Sequence, residues 1–184
     1  MRANEVMSEP SESHLLDASH HLFYEIWMFY ESARFLKRDI GTDVVSTNAH
    51  LESFAVHGRV LLSFFYSEAE QDDVIARHYI KNWENICPPI PEKLKKIRFR
   101  VGKEVAHLTY SRLHVTPEAK GWDVSAEQEM HQIVEKFQEN VPKNFVIEKL
   151  LQLRPIGKTS IPVPTRNASP FYATNTSTWV YEPK

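Results

Sequence analysis

Five glycines in 184 residues, each standing alone, set the first limit on this chain. That share is about 3 %, against an average near 7 %. Gly41, Gly58, Gly102, Gly121 and Gly157 are scattered singly. Phosphate loops and dinucleotide-binding turns cluster their glycines, and turn-rich sheets spend many of them. Both classes are disfavoured, and helices are favoured. Five of the eleven prolines, Pro155, Pro162, Pro164, Pro170 and Pro183, fall in the last 30 residues. A helical body with a non-helical tail follows.

Apolar spacing divides the body. Residues 1–12 read as a flexible leader. Ser13–Arg38 has no Gly or Pro, and Leu15, Leu16, Leu22, Phe23, Ile26, Trp27, Tyr30 and Phe35 recur at helical intervals. Ser13 suits its N-cap and Gly41 its end. A second helix is expected over Thr47–Ser67, capped by Thr47 or Asn48. Leu51, Ala55, Gly58, Leu62 and Phe65 form one stripe, with Phe54, Leu61 and Phe64 on a second flank. A helix apolar over so wide a face is central to a bundle or shared with another subunit.

Asp72–Trp83 reads as a shorter helix, and the prolines of Cys87–Pro91 as a break. Pro91 opens a helix over Pro91–Leu113 with Leu94, Ile97, Val101, Val105 and Leu108 inward. After a loop at Val115–Asp123, Ser125 and Gln128 match a capping box for Ser125–Asn140, with Met130, Ile133, Val134 and Phe137 inward. Asn144–Leu153 suits a short helix. The predicted architecture is all-α. One domain over 13–153 holds four main helices and one or two short ones. An extended tail over 154–184 carries Phe171, Tyr172, Trp179 and Tyr181, which favours packing on the body or on a neighbouring subunit.

Charge singles out one helix. Lys93–Arg112 holds seven basic residues and one acid, Glu104, in a chain of net charge −2. A helix this basic can meet phosphate or be a solvated face balanced by acidic neighbours. Arg100 and His107 are seven apart, close to the roughly 7.2 residues of two helical turns. Both then point the same way, with Lys103 between them, at the edge of the apolar stripe. Histidine moves protons near neutral pH and arginine holds phosphate charge. That pairing suits cleavage of RNA by its own 2′-hydroxyl without a metal. Gly102 lies inside this helix, where glycine costs about 1 kcal/mol against alanine. A close backbone or a ligand phosphate would explain it.

The stretch Asn48–His57, followed by Arg100-Val-Gly-Lys-Glu-Val-Ala-His107 and on to Arg112, resembles the HEPN superfamily. Its members are small helical bundles, often dimeric, and many are metal-independent endoribonucleases of toxin–antitoxin, defence and RNA-processing systems. Others are non-catalytic binding modules. The resemblance implies that His107 transfers a proton at the 2′-hydroxyl or leaving oxygen and that Arg100 stabilises the phosphorane. It implies a homodimer, an RNA or nucleotide ligand and, for a toxin, an antitoxin-like protein partner. The position after the arginine is usually polar in that family and is Val101 here.

Supporting positions are Lys103, Glu104, Glu52 and Arg59. Glu52 and Arg59, again seven apart, read as a surface or intersubunit ion pair, or with Glu52 orienting Arg100. No metal and no cofactor are expected. Glu104–His107 is the chain's single Glu-x-x-His, where a di-iron bundle needs two. One cysteine, Cys87, fits a reducing compartment. With no apolar run near a membrane span, a cytoplasmic location is the expectation. Two functions compete: a metal-independent endoribonuclease, and a non-enzymatic helical module that binds a protein or nucleotide partner.

Overall fold

The structure, a computed structural model, describes residues 10–38, 43–67, 72–105, 109–110, 114 and 121–155. Seven α-helices lie in these segments: α1 (Glu12–Arg38), α2 (Val44–Tyr66), α3 (Ala76–Tyr79), α4 (Trp83–Ile86), α5 (Glu92–Arg100), α6 (Ala126–Asn140) and α7 (Glu148–Gln152). No strand occurs among the described residues. The chain is an all-helical bundle. Gly41, His107, the leader through residue 9 and the tail from 156 lie outside the described residues.

Helix α1 starts one residue earlier than Ser13. Ser11 is its cap, its hydroxyl accepting the His14 amide at 3.3 Å. Helix α2 starts at Val44 because Asp43, with extended backbone, accepts from the amides of Val45 and Ser46. Thr47 and Asn48 lie inside the helix. The predicted Asp72–Trp83 helix is two short ones. Ile80 between them is extended and buried, so the winding breaks where that side chain enters the core. The cap before α3 is Ile75, whose amide meets the His78 ring, in place of Asp72 or Asp73.

Ser125 does not build a capping box. It has helical backbone angles, and its hydroxyl donates to Asp123 at 2.5 Å. Ser19, fully buried on α1, donates to the Leu16 carbonyl and accepts the Ile147 amide. It thereby docks the start of α7. Leu16, assigned inward by its spacing, is exposed.

Helix α2 lies centrally, packed on α1, α3 and α5. Its two predicted stripes are buried, apart from a half-buried Leu51. Gly58 permits that placement. A Cβ there would stand 2.9 Å from the Phe29 ring and 3.4 Å from Ile97. Phe29 is itself stacked on Phe54 at 4.6 Å, so it has little room to yield. Overpacking costs about 1–3 kcal/mol, and alanine returns about 1 in helix propensity. Gly58→Ala is therefore expected to lose about 1 kcal/mol on urea denaturation. A gain in stability would show that Phe29 moves aside freely.

Gly102 behaves differently. A Cβ there meets nothing within 4 Å. No close backbone requires the glycine.

Candidate functional site

Helix α5 begins after Pro91 and buries Leu94, Ile97 and, just past its end, Val101. The α-helical winding stops at Arg100, short of the predicted Leu113. Val101–Val105 then forms a π-helical turn, with i→i+5 bonding. Seven-residue spacing across such a turn does not by itself bring two side chains to one face. His107, placed with Arg100 by that spacing, lies outside the described residues.

Arg100 is held on several sides. Its Nε donates to Glu104 Oε1 at 2.8 Å and one terminal nitrogen to Oε2 at 2.6 Å. The other terminal nitrogen donates to the Gly121 carbonyl at 2.7 Å. The guanidinium carbon lies 4.2 Å from the Trp122 ring centroid, a cation–π arrangement. The Arg100 and Glu104 side chains are 17 % and 20 % exposed, so this bidentate pair is partly desolvated. Lys93 continues the strap. It pairs with Asp123 at 3.1 Å and donates to the Ser125 hydroxyl at 2.6 Å. Two cations of the basic helix thus fasten residues 121–125, the approach to α6.

The other described cations of this helix face water. Lys95 pairs with Glu92 one turn away, while Lys96, Arg98 and Lys103 stand exposed. Among them Phe99 is 69 % exposed. Lys95 and Lys96 stand one turn before it and Lys103 four residues after it. Phe99 belongs to neither the predicted apolar stripe nor the predicted site residues. Its signal was present: an aromatic off the apolar stripe, flanked directly by Arg98 and Arg100. Trp122 carried no comparable signal.

Glu52 and Arg59 are exposed on α2, and the carboxylate beside Arg100 is Glu104. Two other polar groupings are internal. The Tyr30 hydroxyl lies 3.1 Å from His131 Nδ1, whose Nε2 is 3.3 Å from Glu135. Burial raises the Tyr30 phenol well above its ordinary value and lowers His131, so a neutral imidazole accepts from a neutral phenol. Tyr30 is buried and Glu135 reaches solvent, so this chain joins α1 to α6 from the core to the surface. His57 Nδ1 lies 2.6 Å from Glu25 across α1 and α2.

A cleft of about 320 Å³ is lined by Phe65, Tyr66, Trp83, Cys87 and Ile90, among others. Burial pushes the Cys87 thiol up, away from the reactive thiolate. Among the described residues, no three side chains of metal-ligand type converge. No described helix is long and apolar enough to cross a membrane.

No family model, curated protein or solved structure matches the chain.

Proposed function

We propose that this chain is a HEPN-like helical protein that binds single-stranded RNA on the outer face of α5. The carrying observation is Phe99, left in water among lysines. Exposing a phenylalanine side chain forgoes roughly 1.5–3 kcal/mol of burial. A nucleobase can cover the ring by stacking, while neighbouring lysines take the phosphates and release their counterions. Lys96, Arg98 and Lys103 are placed for the backbone, and Arg100 and Lys93 keep the platform rigid from below. The choice of RNA over DNA rests on the HEPN resemblance.

The test is fluorescence anisotropy with a labelled uridine dodecamer. Phe99→Ala is expected to raise the dissociation constant about tenfold or more. Charge reversal at Lys96 and Lys103 is expected to flatten its dependence on salt. Wild-type protein that ignores the oligonucleotide, or an alanine variant that binds as well, would defeat the proposal.

The catalytic alternative assigns phosphate stabilisation to Arg100 and proton transfer to His107. One observation favours it: a π turn directly after Arg100, a feature frequent at functional sites. The Glu104 pair weighs against it, because the guanidinium must exchange that carboxylate for a phosphate. RNA cut in the presence of EDTA, and spared by His107→Ala, would favour catalysis over binding alone. A toxin would additionally need an antitoxin-like partner.

A further inference from the structure

The cleft of about 320 Å³ lies where the end of α2 meets α3, α4 and the prolines before α5. Small-molecule sites begin at about this size. Its floor is apolar, since Phe65, Ile75 and Trp83 line it and are buried. The polar atoms of its walls are already bonded. The Trp83 indole N–H donates to the Phe65 carbonyl at 2.8 Å, and the Tyr66 hydroxyl to the Pro88 carbonyl at 2.9 Å. These bonds tie α4 and the proline segment to α2, which fixes the walls in place. Cys87 stays a neutral thiol, because burial pushes it up. Among the described lining residues two are charged, Arg77 on α3 and Glu84 on α4, and they are opposite in sign. Arg77 is half-buried and Glu84 exposed. Ser67, which closes α2, adds a hydroxyl. It accepts from Arg98 at 3.4 Å, which leaves its own proton to be donated.

We infer that this cleft binds a free α-amino acid with a large apolar side chain. The side chain enters the apolar floor. The ligand carboxylate takes N–H groups of Arg77 and the Ser67 hydroxyl, and the ligand ammonium takes the Glu84 carboxylate. Arg77 already has a contact within the chain. A guanidinium carries five N–H donors, more than one acceptor uses, so it serves a second. The charge pattern selects this ligand. A simple anion would meet Glu84 and a simple cation would meet Arg77, each a repulsion. A zwitterion satisfies both. A phenylalanine inside a peptide carries neither charge and leaves both groups unanswered. The inference does not depend on RNA binding, which is placed on α5, and each is tested without the other.

Isothermal titration calorimetry tests it with L-phenylalanine and L-leucine, both expected to bind at millimolar concentration or below. The analogue 3-phenylpropionate lacks the ammonium, phenethylamine lacks the carboxylate, and N-acetyl-L-phenylalaninamide lacks both charges. Each is expected to bind about tenfold more weakly than L-phenylalanine, or worse. Glu84→Gln should weaken L-phenylalanine about tenfold and leave 3-phenylpropionate unchanged. Arg77→Gln should weaken L-phenylalanine likewise and leave phenethylamine unchanged. That selectivity separates a lost contact from a lost fold. Wild-type protein that takes up neither amino acid would overturn the inference. So would an analogue that binds as tightly as L-phenylalanine, or either variant with unchanged affinity for it.

Discussion

Phe137→Ala is expected to lower the unfolding free energy by about 3–5 kcal/mol, a large part of the roughly 5–15 kcal/mol available to a domain. Phe137 is fully buried on α6. Its ring meets Phe64 at 5.4 Å, Phe65 at 5.8 Å, Tyr79 at 5.6 Å and Trp83 at 5.8 Å, all tilted edge-on. One side chain therefore joins α6 to α2, α3 and α4. The cost lies at the upper end because its neighbours cannot collapse into the space. Trp83 is fixed by its indole N–H on the Phe65 carbonyl at 2.8 Å, and Tyr79 by its hydroxyl on the Leu15 carbonyl at 2.9 Å. Phe137→Leu keeps most of the volume and should cost about 1–2 kcal/mol. Urea denaturation followed at 222 nm measures both. A loss below about 1 kcal/mol for the alanine variant would mean that the aromatic cluster repacks.

Arg100→Ala is expected to cost about 2–3 kcal/mol and to loosen residues 121–125. Hydrogen bonds to charged groups contribute about 1.5–3 kcal/mol each when well placed. Arg100 makes two to Glu104 and one to the Gly121 carbonyl, besides its contact with Trp122. The total stays modest because the site is not fully buried and water re-solvates part of what is lost. Glu104 is left without its strongest partner. Arg100→Lys retains the charge but loses the planar fork and the stacking, so it should recover less than half of the loss. Hydrogen exchange resolved by segment separates local from global effects: amides of 121–125 should exchange faster while those of α1 keep their protection. A variant within about 0.5 kcal/mol of wild type, with unchanged exchange, would show that the clamp is dispensable. Arg100 would then be free for phosphate.

Much of the core was legible from spacing. Leu94, Ile97 and Val101 on α5, and Met130, Ile133, Val134 and Phe137 on α6, are all buried as their intervals require. Helix starts were less legible because several capping residues compete near each one. Ser11 stands near Ser13, and Asp43 near Thr47 and Asn48. The winner is the residue whose side-chain oxygen reaches the free amides, which residue type does not reveal. The break at Ile80 was hidden because its buried side chain serves a helix and an extended residue equally well.

The basic helix shows the same divide for function. Its charge and the seven-residue interval between Arg100 and His107 could be read directly. The π turn that changes that interval could not. It accompanies an arginine tied to Glu104 and to Gly121, the latter twenty-one positions away with no periodic relation to Arg100. Phe99 was legible in principle as an aromatic off the stripe, whereas Trp122 was visible only once the 121–125 segment lay against α5.

The sequence by itself determined that this chain is helical, and which face of each long helix is apolar. The reason is local: backbone geometry repeats every 3.6 residues, so spacing reports directions around one axis. Only the tertiary structure decided which faces meet, and hence the work each residue does. Gly58 and Gly102 are both solitary glycines in helical sequence. A Cβ at the first would stand 2.9 Å from the Phe29 ring, and one at the second would meet nothing within 4 Å. Arg100 and Lys96 are both cations of one basic helix, yet one is clamped and the other stands in water. Those differences come from residues distant in the chain, and spacing along a single helix carries no record of them.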